Sequence, residues 1–188
     1  MILLLFVTPA DAAADVHRLF IYGDSFAYFA DPYMQENLPG WHIRSDVDAG
    51  RTAHATPTAL KGRKLAPVVH LSVGTLDEVD EPDRFRRAVR RSMRIVGPDR
   101  CVVWANFFRP ANSRSKKNRW KPLNRILDQE SARRGNLVIV DWASMVERHL
   151  YWRTGDGAHV DERGSKARAR AVARGARDCA ARLEPTTG

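Results

Sequence analysis

The chain has 188 residues, 44% of them hydrophobic, which is enough for one core and requires no second domain. Its formal charge is +9, from 31 Lys and Arg against 22 Asp and Glu, so acidic surfaces and anionic polymers attract it. No stretch approaches the roughly 20 apolar residues that a membrane-spanning helix takes, which excludes a stable span.

Met1 to Val7 is apolar, and Thr8-Pro9-Ala10-Asp11-Ala12-Ala13-Ala14 supplies small residues in the Ala-x-Ala pattern that export peptidases accept. Residues 1–14 therefore read as the tail of a signal peptide, which makes the protein secreted or extracytoplasmic. No Lys or Arg precedes the run and it is short, features that a start upstream of Met1 would explain. The competing reading is a buried first strand or helix. The domain is expected over 15–184, followed by a frayed tail at 185–188.

Short apolar runs then alternate with amphipathic patterns, the signature of an α/β domain in which helices cover a parallel sheet. The strands fall at Leu19-Phe20-Ile21-Tyr22, at Trp41 to Val47 with weaker alternation, at Val68 to Val73, at Cys101 to Ala105 and at Leu137 to Val140. Helices are expected near Ala27 to Asn37, Pro82 to Val96, Arg119 to Arg134, Trp142 to Arg148 and Asp161 to Leu183. Pro82 and Gly97-Pro98 bracket the second of these as a first-turn proline and a terminal glycine should. Arg84, Arg87, Arg91 and Arg94 form its solvated stripe, opposite Phe85, Ala88, Ser92 and Ile95. Phe107 to Asn118 reads as a basic loop. Arg109 to Arg125 holds seven basic residues and no acidic one, a candidate contact for an anionic cell-surface polymer. No nucleic-acid recognition motif accompanies this charge, and solvated helix faces account for most of it.

In open parallel sheets, ligands bind beyond the carboxyl ends of the strands. The residues there are Gly23-Asp24-Ser25, Ala49-Gly50-Arg51, Gly74-Thr75-Leu76-Asp77 and Asn106 with the loop beyond it. Ser25 follows a strand and opens a helix, where its hydroxyl is exposed beside the positive end of the dipole. Serine is also a preferred helix cap, so this segment alone fits a plain turn. Near the other end, Asp156-Gly157-Ala158-His159 precedes the last helix, and a histidine oriented by a carboxylate is the base that a serine nucleophile needs. An Asp-Gly turn with a surface histidine is the alternative.

Taken together, these segments resemble the SGNH/GDSL hydrolase family. Gly23-Asp24-Ser25-Phe26 matches its first block and Gly50 its second-block glycine. Gly74 and Asp77 match the third block, and Asp156 with His159 the Asp-x-x-His of the fifth, in family order over Leu19 to Leu183. The resemblance implies a flavodoxin-like three-layer α/β/α sandwich with a five-stranded parallel sheet, and a serine esterase or acyltransferase that acts on a small ester or acylated carbohydrate. Ser25 would attack the carbonyl, His159 would carry the proton, Asp156 would fix the imidazole, and the N–H groups of Ser25 and Gly50 would hold the oxyanion. The third block departs from the family pattern: Leu76 stands where an asparagine side chain ordinarily donates to the oxyanion. Either the Ser25 and Gly50 amides suffice, or a substrate-induced donor such as Asn106 replaces the lost one, or the protein is a weak enzyme or a binding domain that keeps the nucleophile. Asp77 is expected to organise its turn, and Asn106 and Arg109 are candidate substrate contacts, with loop anchoring as the plainer role. The family topology also places Cys101 and Cys179 at the edge opposite the site, where a disulfide is expected in an oxidising compartment. No metal cluster or Gly-rich phosphate loop is visible, and no cofactor is expected.

Overall fold

In the computed structural model, which describes residues 16–78, 80–109 and 120–184, five strands form one all-parallel sheet. The readings made for residues 1–14 and 185–188, and most of the basic segment between Arg109 and Arg125, lie outside the described residues. The strands are β1 (Arg18–Gly23), β2 (His42–Val47), β3 (Val68–Ser72), β4 (Cys101–Ala105) and β5 (Leu137–Val140), in the order β2-β1-β3-β4-β5. That order reverses direction at β1 and β3, as in flavodoxin-like sheets, and opens a crevice at their carboxyl ends.

Helices cover both faces: α1 (Ser25–Ala30), α2 (Met34–Asn37), α3 (Thr56–Leu60), α4 (Pro82–Val96), α5 (Lys121–Ser131), α6 (Trp142–Arg148) and α7 (Glu162–Leu183). Side chains alternate across each strand, so successive residues enter opposite cores. Phe20, Tyr22, Val102 and Trp104 pack with α3, α4, α5 and α6 on one face. Leu19, Ile21, Cys101 and Val103 pack with α1, α2 and α7 on the other. β2 shows weaker alternation because, at one edge of the sheet, all of its residues are exposed or half-buried.

Some elements differ from the sequence reading. The single helix expected over Ala27 to Asn37 is broken by a 3₁₀ turn, Asp31–Tyr33, because Pro32 has no N–H to continue the α ladder. The short helix α3 and the 3₁₀ turn Leu150–Trp152 carry too few residues for a periodicity to register. The solvated arginine stripe of α4 is exposed as expected. Two other arginines of that helix behave differently: Arg86 and Arg90, with Arg134, surround the fully buried Glu130 of α5 at 3.4, 2.9 and 2.5 Å.

At the amino edge of the sheet, Cys101 at the start of β4 is bonded to Cys179 late in α7, with the Cα atoms 5.4 Å apart. No described helix is long and apolar enough to cross a membrane.

Candidate active site

The crevice is closed by loops that are pinned to one another. At the end of β1, Asp24 donates its N–H to the Ser72 carbonyl at 2.8 Å and caps α1 by accepting the Phe26 N–H at 3.1 Å. This fixes Ser25 as the first helical residue, half-buried, with its hydroxyl facing the crevice.

His159 arrives on a narrow loop between the Leu150–Trp152 turn and α7. An antiparallel bridge joins Arg153 to Val160, and the Thr154 N–H reaches the His159 carbonyl at 2.9 Å. The imidazole stacks on Phe26 at 5.1 Å between centroids and meets the edge of Phe29 at 5.7 Å. Its Nε2 lies 2.8 Å from Ser25 Oγ, and its Nδ1 contacts Asp156 Oδ2.

The other Asp156 oxygen accepts from the Ala158 N–H at 3.0 Å, the His159 N–H at 3.0 Å and the Thr154 hydroxyl at 3.1 Å. Burial pushes this carboxyl up, but the His159 ring and these donors outweigh it and hold it far below the usual range. An ionised carboxylate only accepts, so His159 carries its proton on Nδ1 and presents the Nε2 lone pair to the Ser25 hydroxyl. That is the arrangement of a nucleophile, its base and the group that orients the base.

Gly50 adopts φ +82 at the crevice wall, in the left-handed region that glycine enters without strain. Behind it, Asp77 does more than organise its own turn. Its carboxylate reaches into the preceding loop and accepts from the Ala53 N–H at 2.6 Å and the His54 N–H at 3.3 Å. Gly74 is required where it stands, because a Cβ there would lie 2.3 Å from the Phe107 ring. Leu76 lines the crevice, 43% exposed, and offers no donor.

Arg109 also lines the crevice and donates to the Thr75 carbonyl at 2.9 Å. Asn106 does not reach it. Its amide donates to Asp141 at 2.9 Å and its carbonyl accepts the Ala143 N–H at 2.7 Å, so in this structure it fixes the start of α6, the loop-anchoring role that was its plainer reading.

Sequence reasoning missed a buried polar group beneath the nucleophile. Arg168 of α7, 2% exposed, donates to Ser72 Oγ at 2.8 Å, and Ser72 Oγ donates to Asp24 at 3.2 Å. Burial pulls Arg168 down to about 10 despite the attraction of Asp24, and burial, then Arg168, pull His70 down to about 3. A signal for Arg168 did exist: it shares the helical stripe of Val172, Ala176 and Cys179 that faces the core. Arg153 and Phe29 also line the crevice, with no motif to mark them.

Neither a protein-family model nor a curated protein matches the sequence. Solved structures do match it in fold. The C-terminal catalytic domain of Streptococcus pneumoniae peptidoglycan O-acetyltransferase A, determined with a methylsulfonyl adduct, is 16% identical and superposes with a TM-score of 0.62 over 88% of this chain and 93% of its own. A GDSL-like lipase from Bacteroides thetaiotaomicron is 13% identical, with a TM-score of 0.69 over 90% of this chain and 95% of its own. A carbohydrate esterase family 3 protein from Talaromyces cellulolyticus is 15% identical, with a TM-score of 0.64 over 90% and 99%. Strand order, layering and these superpositions agree that the chain has the α/β/α fold of the SGNH/GDSL hydrolases.

Proposed function

We propose that the protein is an extracytoplasmic serine esterase or O-acyltransferase that cleaves a carboxylic ester, on an acylated carbohydrate or another small ester, through an acyl-serine intermediate. The observation that carries this reading is the continuous chain of contacts from Ser25 Oγ through the two ring nitrogens of His159 to Asp156. A peptidoglycan O-acetyltransferase and a carbohydrate esterase among the structures of like fold support the substrate class. The Cys101–Cys179 disulfide supports an oxidising location.

In the first step Ser25 Oγ bonds to the ester carbon as its proton passes to His159 Nε2. The ester C–O bond then breaks, and the alcohol leaves with that proton. Water, or the hydroxyl of an acceptor, next gives its proton to Nε2 and attacks the acyl carbon, and Ser25 departs with the proton returned. Asp156 stabilises the imidazolium formed in each half. The N–H groups of Ser25 and Gly50 are the donors assigned to the oxyanion, and no metal or cofactor enters the scheme.

Labelling by a fluorophosphonate tests the nucleophile. Wild type should label and release acetate or chromophore from short acyl esters, and Ser25→Ala should do neither. Turnover that survives Ser25→Ala removes the reading. Absence of labelling together with salt-sensitive retention on an anionic polymer would instead make the chain a binding module that acts through Arg109 to Arg125.

A further inference from the structure

The cleft in front of Ser25 has a volume of about 750 Å³, much more than an acetyl group fills, and its lining is both apolar and charged. Phe26, Phe29 and Leu76 are among its apolar lining. The charged residues lining it are Asp24, Asp156, Arg109 and Arg153. Both acids are committed. Asp24 is 2% exposed and bonded to the Phe26 N–H and Ser72, with Arg168 behind it, and the Asp156 oxygens are engaged by His159, Ala158 and Thr154.

The arginines are not balanced in this way. Arg109, on the loop after β4, is held by the neutral carbonyl of Thr75 at 2.9 Å. Arg153, on the histidine loop, is held by the carbonyl of Leu150 at 3.3 Å, with its guanidinium 5.9 Å from the Phe108 ring. Among the described residues neither forms an ion pair, whereas Arg51 and Arg63 share Asp46, and Arg86, Arg90 and Arg134 share Glu130. A guanidinium fixed by a neutral acceptor keeps its full charge and most of its five N–H donors, in the fork that fits a carboxylate or phosphate.

We infer that the ester this cleft accepts carries an anionic group, a carboxylate or a phosphate, which Arg109 and Arg153 bind while the apolar portion lies against Phe26, Phe29 and Leu76. This rests on the serine-ester reading and narrows it to one class of substrate. The selectivity comes from charge and hydrogen-bond geometry together, so the two arginines discriminate against a neutral ester of the same size.

Matched probes test it. Methyl 4-acetoxybenzoate is the neutral member for 4-acetoxybenzoate and 4-acetoxyphenyl phosphate, which place a carboxylate or a phosphate on the alcohol side. 4-Nitrophenyl butyrate is the neutral member for mono-4-nitrophenyl glutarate, which places the carboxylate on the acyl side. In at least one series the anionic member should exceed its neutral partner about tenfold or more in kcat/KM, as expected for hydrogen bonds to a charged group. Arg153→Gln and Arg109→Gln should each bring that ratio down several-fold, added salt should lower it, and Arg153→Lys should restore part of it. Because the ratio compares two substrates on one preparation, partial misfolding does not imitate the effect. The inference is overturned if neutral esters turn over but no anionic probe is preferred, or if neither glutamine variant moves the ratio; the esterase reading survives both results. Failure of every ester and of fluorophosphonate labelling removes both together.

Discussion

The buried pair beneath the nucleophile gives a prediction whose size depends on pH. Asp24 and Arg168 are each 2% exposed and communicate through Ser72 Oγ, with legs of 3.2 and 2.8 Å. Burial raises the Asp24 carboxyl above its ordinary value, and Arg168 is the largest influence opposing that rise, ahead of the Phe26 N–H, Ser72 and Thr75. Arg168→Met keeps much of the volume between the rings of Phe26 and Trp142, which lie 5.5 and 4.9 Å from the guanidinium, but leaves the carboxylate uncompensated. Removing one partner of a buried pair costs about 3–5 kcal/mol, and the lower end applies because a hydroxyl mediates this one.

A carboxyl whose native pKa lies above its unfolded value of about 3.9 makes the native state hold the proton more tightly. Native stability is therefore undiminished below the unfolded value and falls as the pH rises through the native one. Arg168→Met lifts the native value further, so its cost should be near 3 kcal/mol at pH 8 and shrink as the pH approaches 5. Asp24→Asn in the same chain keeps an acceptor for the Phe26 N–H and removes the stranded charge. The double variant should recover at least about 1 kcal/mol relative to the sum of the two singles. Urea unfolding of all four proteins at both pH values measures this. Additivity within about 0.5 kcal/mol, or an Arg168→Met loss that is equal at both pH values, would refute the coupling.

Two further predictions follow from the same geometry. Leu76→Asn should raise esterase kcat by an order of magnitude or more, because one oxyanion donor is worth about 3 kcal/mol; an unchanged or lower rate in the folded variant would mean that the hole is already complete without it. The Cys101–Cys179 bond closes a loop with a sequence separation of 78, and replacing both cysteines by alanine should cost about 2–5 kcal/mol in urea unfolding, with neutral-ester kcat retained because the bridge lies at the far edge of the sheet. Stability equal to that of the oxidised wild type would refute the structural role of the bridge.

Strands β1, β3 and β4 were legible because strands buried on both faces read as near-continuous apolar runs, and β5, though an edge strand, because all four of its residues are apolar. β2 was less distinct because none of its residues is buried and most of them are polar. Ser25, Gly50, Asp156 and His159 were found through short blocks, and the structure brings all four to one crevice. Asn106 was given two roles because sequence does not tell which way an amide turns; its bonds to Asp141 and Ala143 are those of the plainer role, a loop anchor. Arg168 was hidden by its context, a helix with arginines on several sides in which only the register with Val172 and Cys179 distinguishes the buried one. Asp77 was understood as a local turn former, whereas its partners, Ala53 and His54, lie 24 and 23 residues away. Pairings that span loops leave no period in the chain.

Those spanning pairs bear directly on what the crevice can do. Asp77 ties the third loop to the second, Arg109 ties the fourth to the third, Ser72 ties β3 to the first through Asp24, and Asn106 ties the fourth to α6. A site assembled from loops reaches catalytic precision only if the loops cannot drift independently, since donors contribute to a transition state in proportion to how little they must reorganise. Here each of these four loops is fixed by a side chain of a neighbour, so the N–H groups of Ser25 and Gly50 sit on backbone that is already constrained. Leu76 is the exception, an exposed apolar side chain between Thr75, which receives Arg109, and Asp77, which receives the second loop. With the segments on both sides anchored, a donor placed at position 76 would enter a preorganised frame, and for that reason the asparagine substitution should act on kcat rather than on folding.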